Sequence, residues 1–321
     1  MVQIKKPGRA VGGKDGTLQR VAVKSSPAAD AADLPKVAPC PISWDQLSGI
    51  CRILDLRQRE TLPIVTKKEL DAKATSGDPD ALRSLLVMAN QGDGDALFYL
   101  GRLYDVSDAS SIKATTPDPN LSRSYYERAA LCGHALAQLC IGNMYDYGDG
   151  GEQSHEKARH WYAAAANQGI ADAQMHYARM LETGRGGQKN INEAVEWYMK
   201  AIEQGDELAA TNLGLMHYRG ELSESQDNVA FSLFSFSANK LDGLAHHLLG
   251  EMHLSGRGTP HHGGMALLHF CIAILLLPDG KNKDIAREQR DRILKVHPDM
   301  RESFQDRAMA YISERHGELP T

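Results

Sequence analysis

Glycine-bearing turns return at a fixed interval along this chain, and that recurrence limits its fold more than any other feature. Gly148, Gly150 and Gly151 (GDGG) are matched thirty-six residues later by Gly184, Gly186 and Gly187 (GRGG), then by Gly220, then by Gly256 and Gly258 (GRG). A single glycine-rich loop ahead of a helix would suggest phosphate binding, because free N–H groups and the positive end of the helix dipole point at the anion. A turn that comes back at a constant period belongs instead to a repeat. GDGG also lacks the Lys-Ser/Thr pair that gives a P-loop its specificity. We therefore read it as the turn inside a repeating helical hairpin.

The flanking segments repeat in step. "ALFYLGRLY" (from Ala96), "AQLCIGNMY" (Ala137), "AQMHYARML" (Ala173), "AATNLGLMH" (Ala209) and "AHHLLGEMH" (Ala245) are spaced by 41, 36, 36 and 36 residues. The five extra residues of the first step lie in "DVSDASSIKATTPDPNL", a Ser/Pro/Asp-rich insertion of the kind surface turns tolerate. Second halves repeat too, as "SRSYYERAALCG", "ARHWYAAAANQG", "AVEWYMKAIEQG", "AFSLFSFSANKL" and "ALLHFCIAILLL". Each unit is a helix, a glycine turn and a second helix, and stacking is required because one hairpin cannot bury both its faces. The expected fold is all-α, an α/α superhelical solenoid.

Gly101, Gly142, Ala178, Gly214 and Gly250 fall in the middle of first helices, where glycine costs about 1 kcal/mol relative to alanine. Close approach of the second helix explains the choice, with Ala129, Ala165 and Ala201 expected across the contact and Trp161, Tyr162, Trp197 and Tyr198 in the wider gaps. Gly92, Gly133, Gly169 and Gly205 end second helices as left-handed caps, and Leu241 at the same place predicts an irregular corner. "DALRSLLVMANQGD" is in register with the second helices and marks a degenerate first unit. The array spans residues 68–277. Helical patterns at 283–296 and 298–316, the latter with Phe304, Ala308, Tyr311 and Ile312 on one face, read as a C-terminal cap within residues 278–321. That cap is expected to cover "FCIAILLL", since an open apolar stripe of that size would promote aggregation.

Ahead of the array, residues 1–42 are basic, rich in Gly, Pro and Ala, and too poor in large apolar side chains to offset the entropy of ordering. They read as a disordered tail. Ser43, Leu47, Ile50 and Leu54 suggest a helix from Trp44, within an N-terminal helix and linker over 43–67. The longest apolar run, Phe270 to Leu277, is far below the roughly 20 residues a membrane span needs. A net charge of −5 argues against a nucleic-acid partner. Five cysteines, Cys40, Cys51, Cys132, Cys140 and Cys271, without CxxC spacing fit a reducing compartment. The cytoplasm is expected. Mitochondrial import is the alternative, opposed by Pro7, Gly8, Gly12, Gly13 and Gly16, which break the amphipathic helix of a transit peptide.

The pattern A-x-x-x-LG-x-MY-x-x-G-x-G followed by A-x-x-WY-x-x-A-A-x-x-G resembles the Sel1-like repeat family, relatives of tetratricopeptide arrays, over about two-thirds of the chain. The resemblance implies a non-enzymatic scaffold or adaptor that binds a protein or peptide partner. A disulfide-stapled bacterial branch of the family carries a cysteine pair in each unit. Cys132 and Cys140 have that spacing, but it does not recur here. By analogy with tetratricopeptide arrays, first helices line the concave face, so the resemblance points to Phe98, Leu139, Met175, Thr211 and His247 in one column. Arg102, Asn143, Arg179, Leu215 and Glu251 form a second, and Asp105, Asp146, Glu182, Tyr218 and Leu254 a third. Arginines among acids, then an apolar stretch, suit a segment with a charged and an apolar part.

Two other classes stay open. An organellar assembly factor would use the same scaffold. A hydrolase or metal-dependent enzyme would centre on His247 and Glu251, in a last unit that also carries His246, His253, His261, His262 and His269. No nucleophile, base and orienting group form an evident set, and zinc needs about three converging ligands. His253 and His269 stand in columns held by Tyr104/Tyr145 and Tyr125/Trp161, so both read as core substitutions. Neither a catalytic residue, a metal nor a cofactor is expected.

Overall fold

The computed structural model describes residues 66–105, 116–222 and 226–316. The expected tail, the Trp44 helix and most of the insertion after Tyr104 lie outside these residues. Among the described residues the chain is all helix and turn, an α/α solenoid. α1 (Lys67–Thr75) and α2 (Pro79–Asn90) make the degenerate first pair. Five full hairpins follow: α3 (Gly94–Tyr104) with α4 (Pro119–Leu131), α5 (Ala135–Tyr147) with α6 (His155–Asn167), α7 (Ala171–Thr183) with α8 (Ile191–Glu203), α9 (Glu207–Arg219) with α10 (Asp227–Ala238), and α11 (Gly243–Ser255) with α12 (Gly263–Leu276). α13 (Lys281–Val296) and α14 (Arg301–His316) close the series after a short 3-10 turn at Pro298–Met300.

The mid-helix glycines face aromatic rings rather than the alanines expected from the sequence. A Cβ on Gly101 would lie 2.6 Å from the Tyr126 ring, on Gly142 2.8 Å from Tyr162, on Gly214 2.6 Å from Phe234 and on Gly250 2.7 Å from Phe270. Each ring is wholly buried, with exposure of 1% or less. Burying such a side chain contributes about 1.5–3 kcal/mol, which outweighs the helix-propensity cost of the glycine beneath it. Ala129, Ala165 and Ala201 sit three residues further on and are themselves fully buried.

Leu241 also departs from expectation. Its φ is +62°, and it is the one non-glycine residue with positive φ among those described. The corner therefore keeps the left-handed turn that glycine makes elsewhere. Leu241 is retained there because its side chain packs with Leu267, Ile272, Ala308 and Ile312 in the cluster that joins α12 to the cap. The cap covers that apolar helix: Phe270, Cys271, Ile272 and Ala273 are buried, while Leu275 at its end remains 41% exposed. No helix among the described residues is long and apolar enough to cross a membrane.

Candidate functional site

Residues four apart or three apart on a first helix share a face, so the expected columns can be followed position by position. Phe98, Asp146 and Met175, exposed by 9%, 1% and 4%, do not belong to an open face. Phe98 stacks on His134 with centroids 4.4 Å apart, and Met175 lies in the core beside Ala178 and Leu181. These positions point between neighbouring helices, a direction the tetratricopeptide analogy did not capture. Leu139 is half-buried against two core clusters. Arg102, Asp105, Asn143, Arg179, Glu182 and Tyr218 remain partly exposed.

Three of those six residues are fixed by the tyrosine behind the small mid-helix residue, Gly101, Gly142 or Ala178. The ring passes the first helix there and its hydroxyl emerges beside the face. Tyr126 donates to Asp105 Oδ2 at 3.1 Å, Tyr162 to Asn143 Oδ1 at 2.7 Å and Tyr198 to Glu182 Oε2 at 2.6 Å. Burial raises all three phenol pKa values above the ordinary range, so they remain donors at neutral pH. In the last two hairpins Phe234 and Phe270 hold this place and carry no hydroxyl. The corresponding face turns more apolar there, with Leu215, Tyr218 and Leu254.

The arginines are likewise held. Arg102 Nη1 meets Asp71 Oδ2 at 3.1 Å. Arg179 Nη2 lies 3.0 Å from His176 Nδ1. Burial, and secondarily the Arg179 charge, lowers the His176 pKa to about 4, so this nitrogen accepts from the guanidinium. The His176 ring stacks on Tyr162 at 4.9 Å. Asp146 is the buried hub between the second and third hairpins: its Oδ1 lies 3.0 Å from both His155 Nδ1 and Arg185 Nη2, and its Oδ2 faces Arg179 at 3.9 Å. Sequence reasoning missed His155, Arg185 and Asp71, which lie in turns or outside the aligned columns. The tyrosine set was visible as a strict 36-residue series, Tyr126, Tyr162, Tyr198.

Asp105 and Asn143 line one hollow together with Pro119, Cys140, Met144 and the glycine turn at Gly148–Gly150. Burial pushes the Cys140 thiol up to about 11, which leaves it protonated and a poor nucleophile at neutral pH. Cys132, Cys140 and Cys271 are all free thiols. Hydrogen bonding and charge are thus what this hollow offers. Tyr162→Phe should cost about 1 kcal/mol in chemical denaturation, the net worth of a lost hydrogen bond, while leaving the helical spectrum unchanged.

His246, His247, His253 and His269 of the last hairpin are packed as core, while His261 and His262 in its turn are exposed. His253 stacks on His269 with centroids 5.5 Å apart and planes 14° apart, as Tyr104 stacks on Tyr125 at 6.0 Å and 16°. His247 is buried beside Phe270. Among the described residues no three or more His, Cys, Asp or Glu side chains are grouped as a metal ion would require.

Five copies of the Sel1 repeat match the chain, over residues 94–134, 135–170, 171–206, 208–240 and 243–274, more than half its length. A protective antigen of uropathogenic Escherichia coli displaying an SLR fold is similar in structure, with 22% identity and a TM-score of 0.57. The similarity covers 85% of this chain and 59% of that one, so the chain spans less than two-thirds of the E. coli protein's length. A Sel1 repeat protein from Oxalobacter formigenes is similar at 26% identity and TM-score 0.56, covering 70% of this chain and 92% of that one. No curated protein matches the chain.

Proposed function

Because this chain belongs to the Sel1 repeat family, whose members are commonly protein–protein interaction scaffolds, we propose that it is a non-enzymatic adaptor. A segment of a partner protein lies along the concave face formed by the first helices of the first three hairpins. The observation that supports this reading is the repeated Tyr-to-face hydrogen bond, which presets Asp105, Asn143 and Glu182 in fixed orientations beside Arg102 and Arg179. Preset polar groups lose less side-chain entropy on binding than free ones. The apolar continuation at Leu215, Tyr218 and Leu254 suits a segment that is acidic or polar at one end and apolar at the other.

Ion pairing sets the choice of test. Reversing Arg102 would set a second acid against Asp71, so neutral Arg102→Gln and Arg179→Gln substitutions separate binding from folding. Full-length protein carrying both changes should recover its partner from native lysate at least about tenfold less well, the effect of roughly 1.4 kcal/mol. Its helical spectrum should stay that of wild type, although loss of the Arg102–Asp71 pair lowers its melting temperature. Undiminished recovery would remove the face from the proposal. Cytoplasmic residence, with mitochondria as the alternative, is part of the same reading and is decided by mass spectrometry of the mature N-terminus.

A further inference from the structure

At two of the hairpin junctions the chain plugs a notch with its own arginine. Arg123, on α4, donates to the carbonyls of Asp149 and Glu152 in the turn of the next hairpin, at 3.2 and 2.9 Å. Its guanidinium lies 4.0 Å from the Tyr145 ring centroid. Thirty-six residues on, Arg159 of α6 donates to the Gln188 carbonyl at 2.9 Å. Glycine leaves room for both, since a Cβ on Gly151 or Gly187 would lie 2.7 or 2.9 Å from the guanidinium.

The next position in the series is Val195 on α8, and the plug is missing. His217 stands in the column of Tyr145, and Glu221 in that of Asp149. The turn itself is built differently. Gly150, Gly186 and Gly258 press against the first carbonyls of α4, α6 and α10, where a Cβ would be only 2.1, 2.1 and 2.3 Å away. Leu222 occupies that position in the fourth hairpin and has a Cβ, so the glycine contact is not made there. Leu222 instead lines a notch with Ile191, Asn192, Val195, His217, Glu221 and Gln226.

We propose that this notch receives an arginine side chain from a partner protein. Ile191 and Val195 offer an apolar wall for the arginine stem, and the His217 ring offers the face that Tyr145 gives Arg123. Glu221 supplies the counter-charge; it is 31% exposed and lies 3.6 Å from Arg219, which is itself 56% exposed and only loosely engaged. Burial lowers the pKa of His217, so the ring is neutral and its face does not repel a cation. Arginine fits better than lysine because its planar fork serves a ring face and a carboxylate together. The notch shares no residue with the concave face, so its occupancy is tested separately.

The probe is N-acetyl-arginine methylamide, titrated into the full-length protein and followed by the methyl resonances of Ile191 and Val195 and the ring of His217. N-acetyl-lysine methylamide is the control. Saturable shifts with the arginine derivative, and weaker ones with lysine, are expected for wild type. Glu221→Gln should weaken binding about fivefold through loss of a charge-assisted hydrogen bond. Val195→Arg should abolish it, because the chain then fills the notch as it does at Arg123 and Arg159. Absence of saturable shifts in wild type would overturn the proposal, as would arginine binding that survives unchanged in either variant. Should Val195→Arg fail to fold, the Glu221→Gln titration decides alone.

Discussion

Gly150→Ala is expected to destabilise the protein by about 2–4 kcal/mol, and Gly169→Ala by only about 1 kcal/mol, although both glycines have positive φ. Gly150 has φ +65°, and a Cβ there would lie 2.1 Å from the Pro119 carbonyl oxygen and 2.5 Å from its carbon. A backbone carbonyl at the start of a helix cannot swing aside as a side-chain end can. The substitution therefore adds a forced shift of about 1–3 kcal/mol to the cost of the left-handed conformation. Gly169 has φ +89° with nothing within 4 Å, so only the conformational cost remains. Urea denaturation of the two variants beside wild type measures the difference. Equal effects would show that the turn does not press on α4 as described.

The second large effect concerns acid. His246 donates through Nε2 to the Ala238 carbonyl at 3.1 Å, which makes its Nδ1 an acceptor for His269 Nδ1 at 2.9 Å. Burial holds the His246 pKa at about 4, with the Arg315 charge acting in the same sense. The His269 pKa is about 3, again through burial first, with the His246 and His253 rings adding to it. Around the pair stand His253, His262, Tyr311 and Arg315, and among the described residues no carboxylate offsets a proton there. In the unfolded chain both rings titrate near 6.5. Folded pKa values below the unfolded ones mean that the unfolded state binds more protons. Stability from this pair is then complete above about pH 6.5 and falls as pH drops toward 4. The loss by pH 4 should be about 3 kcal/mol or more, since each tenfold change in proton affinity is worth about 1.4 kcal/mol.

The repeat itself supplies the control. Gln138 and Gln174 hold the position of His246 in earlier hairpins and donate to Ala130 and Ala166 at 3.2 and 3.3 Å, the same bond to the same carbonyl. The position of His269 is aromatic in Tyr125, Trp161 and Trp197. A His246→Gln, His269→Phe variant should keep its fold and lose the extra acid sensitivity, read as the difference between the two proteins' stability curves from pH 7 to 4. Parallel curves would contradict the neutral histidine pair.

Periodicity made the architecture legible, because every hairpin solves the same packing problem with the same residue types at the same spacing. The partner of the mid-helix glycine is an aromatic ring and not the expected alanine, because a sequence pattern names small residues without saying which side chain crosses them. Tyr126, Tyr162 and Tyr198 carried the answer in their spacing, but their hydroxyl bonds to Asp105, Asn143 and Glu182 follow from ring direction, which spacing does not specify. The tetratricopeptide analogy puts Phe98, Asp146 and Met175 on the face, but the structure buries all three against neighbouring side chains. Asp146 shows the limit most clearly: its partner His155 opens α6 and its partner Arg185 lies in the next hairpin's turn, and no spacing rule joins three such residues. Val195 is the opposite case, a departure from a series of arginines that becomes meaningful once Arg123 and Arg159 are seen filling their notches.

The most direct test of the adaptor reading is hydrogen–deuterium exchange of the full-length protein with and without the partner it recovers from lysate. Slowed exchange is predicted in α3, α5 and α7, centred on Arg102 to Asp105, Asn143 and Arg179 to Glu182, with α4, α6 and α8 little changed. Protection confined to the second helices or to the cap, with the first helices unaffected, would contradict it.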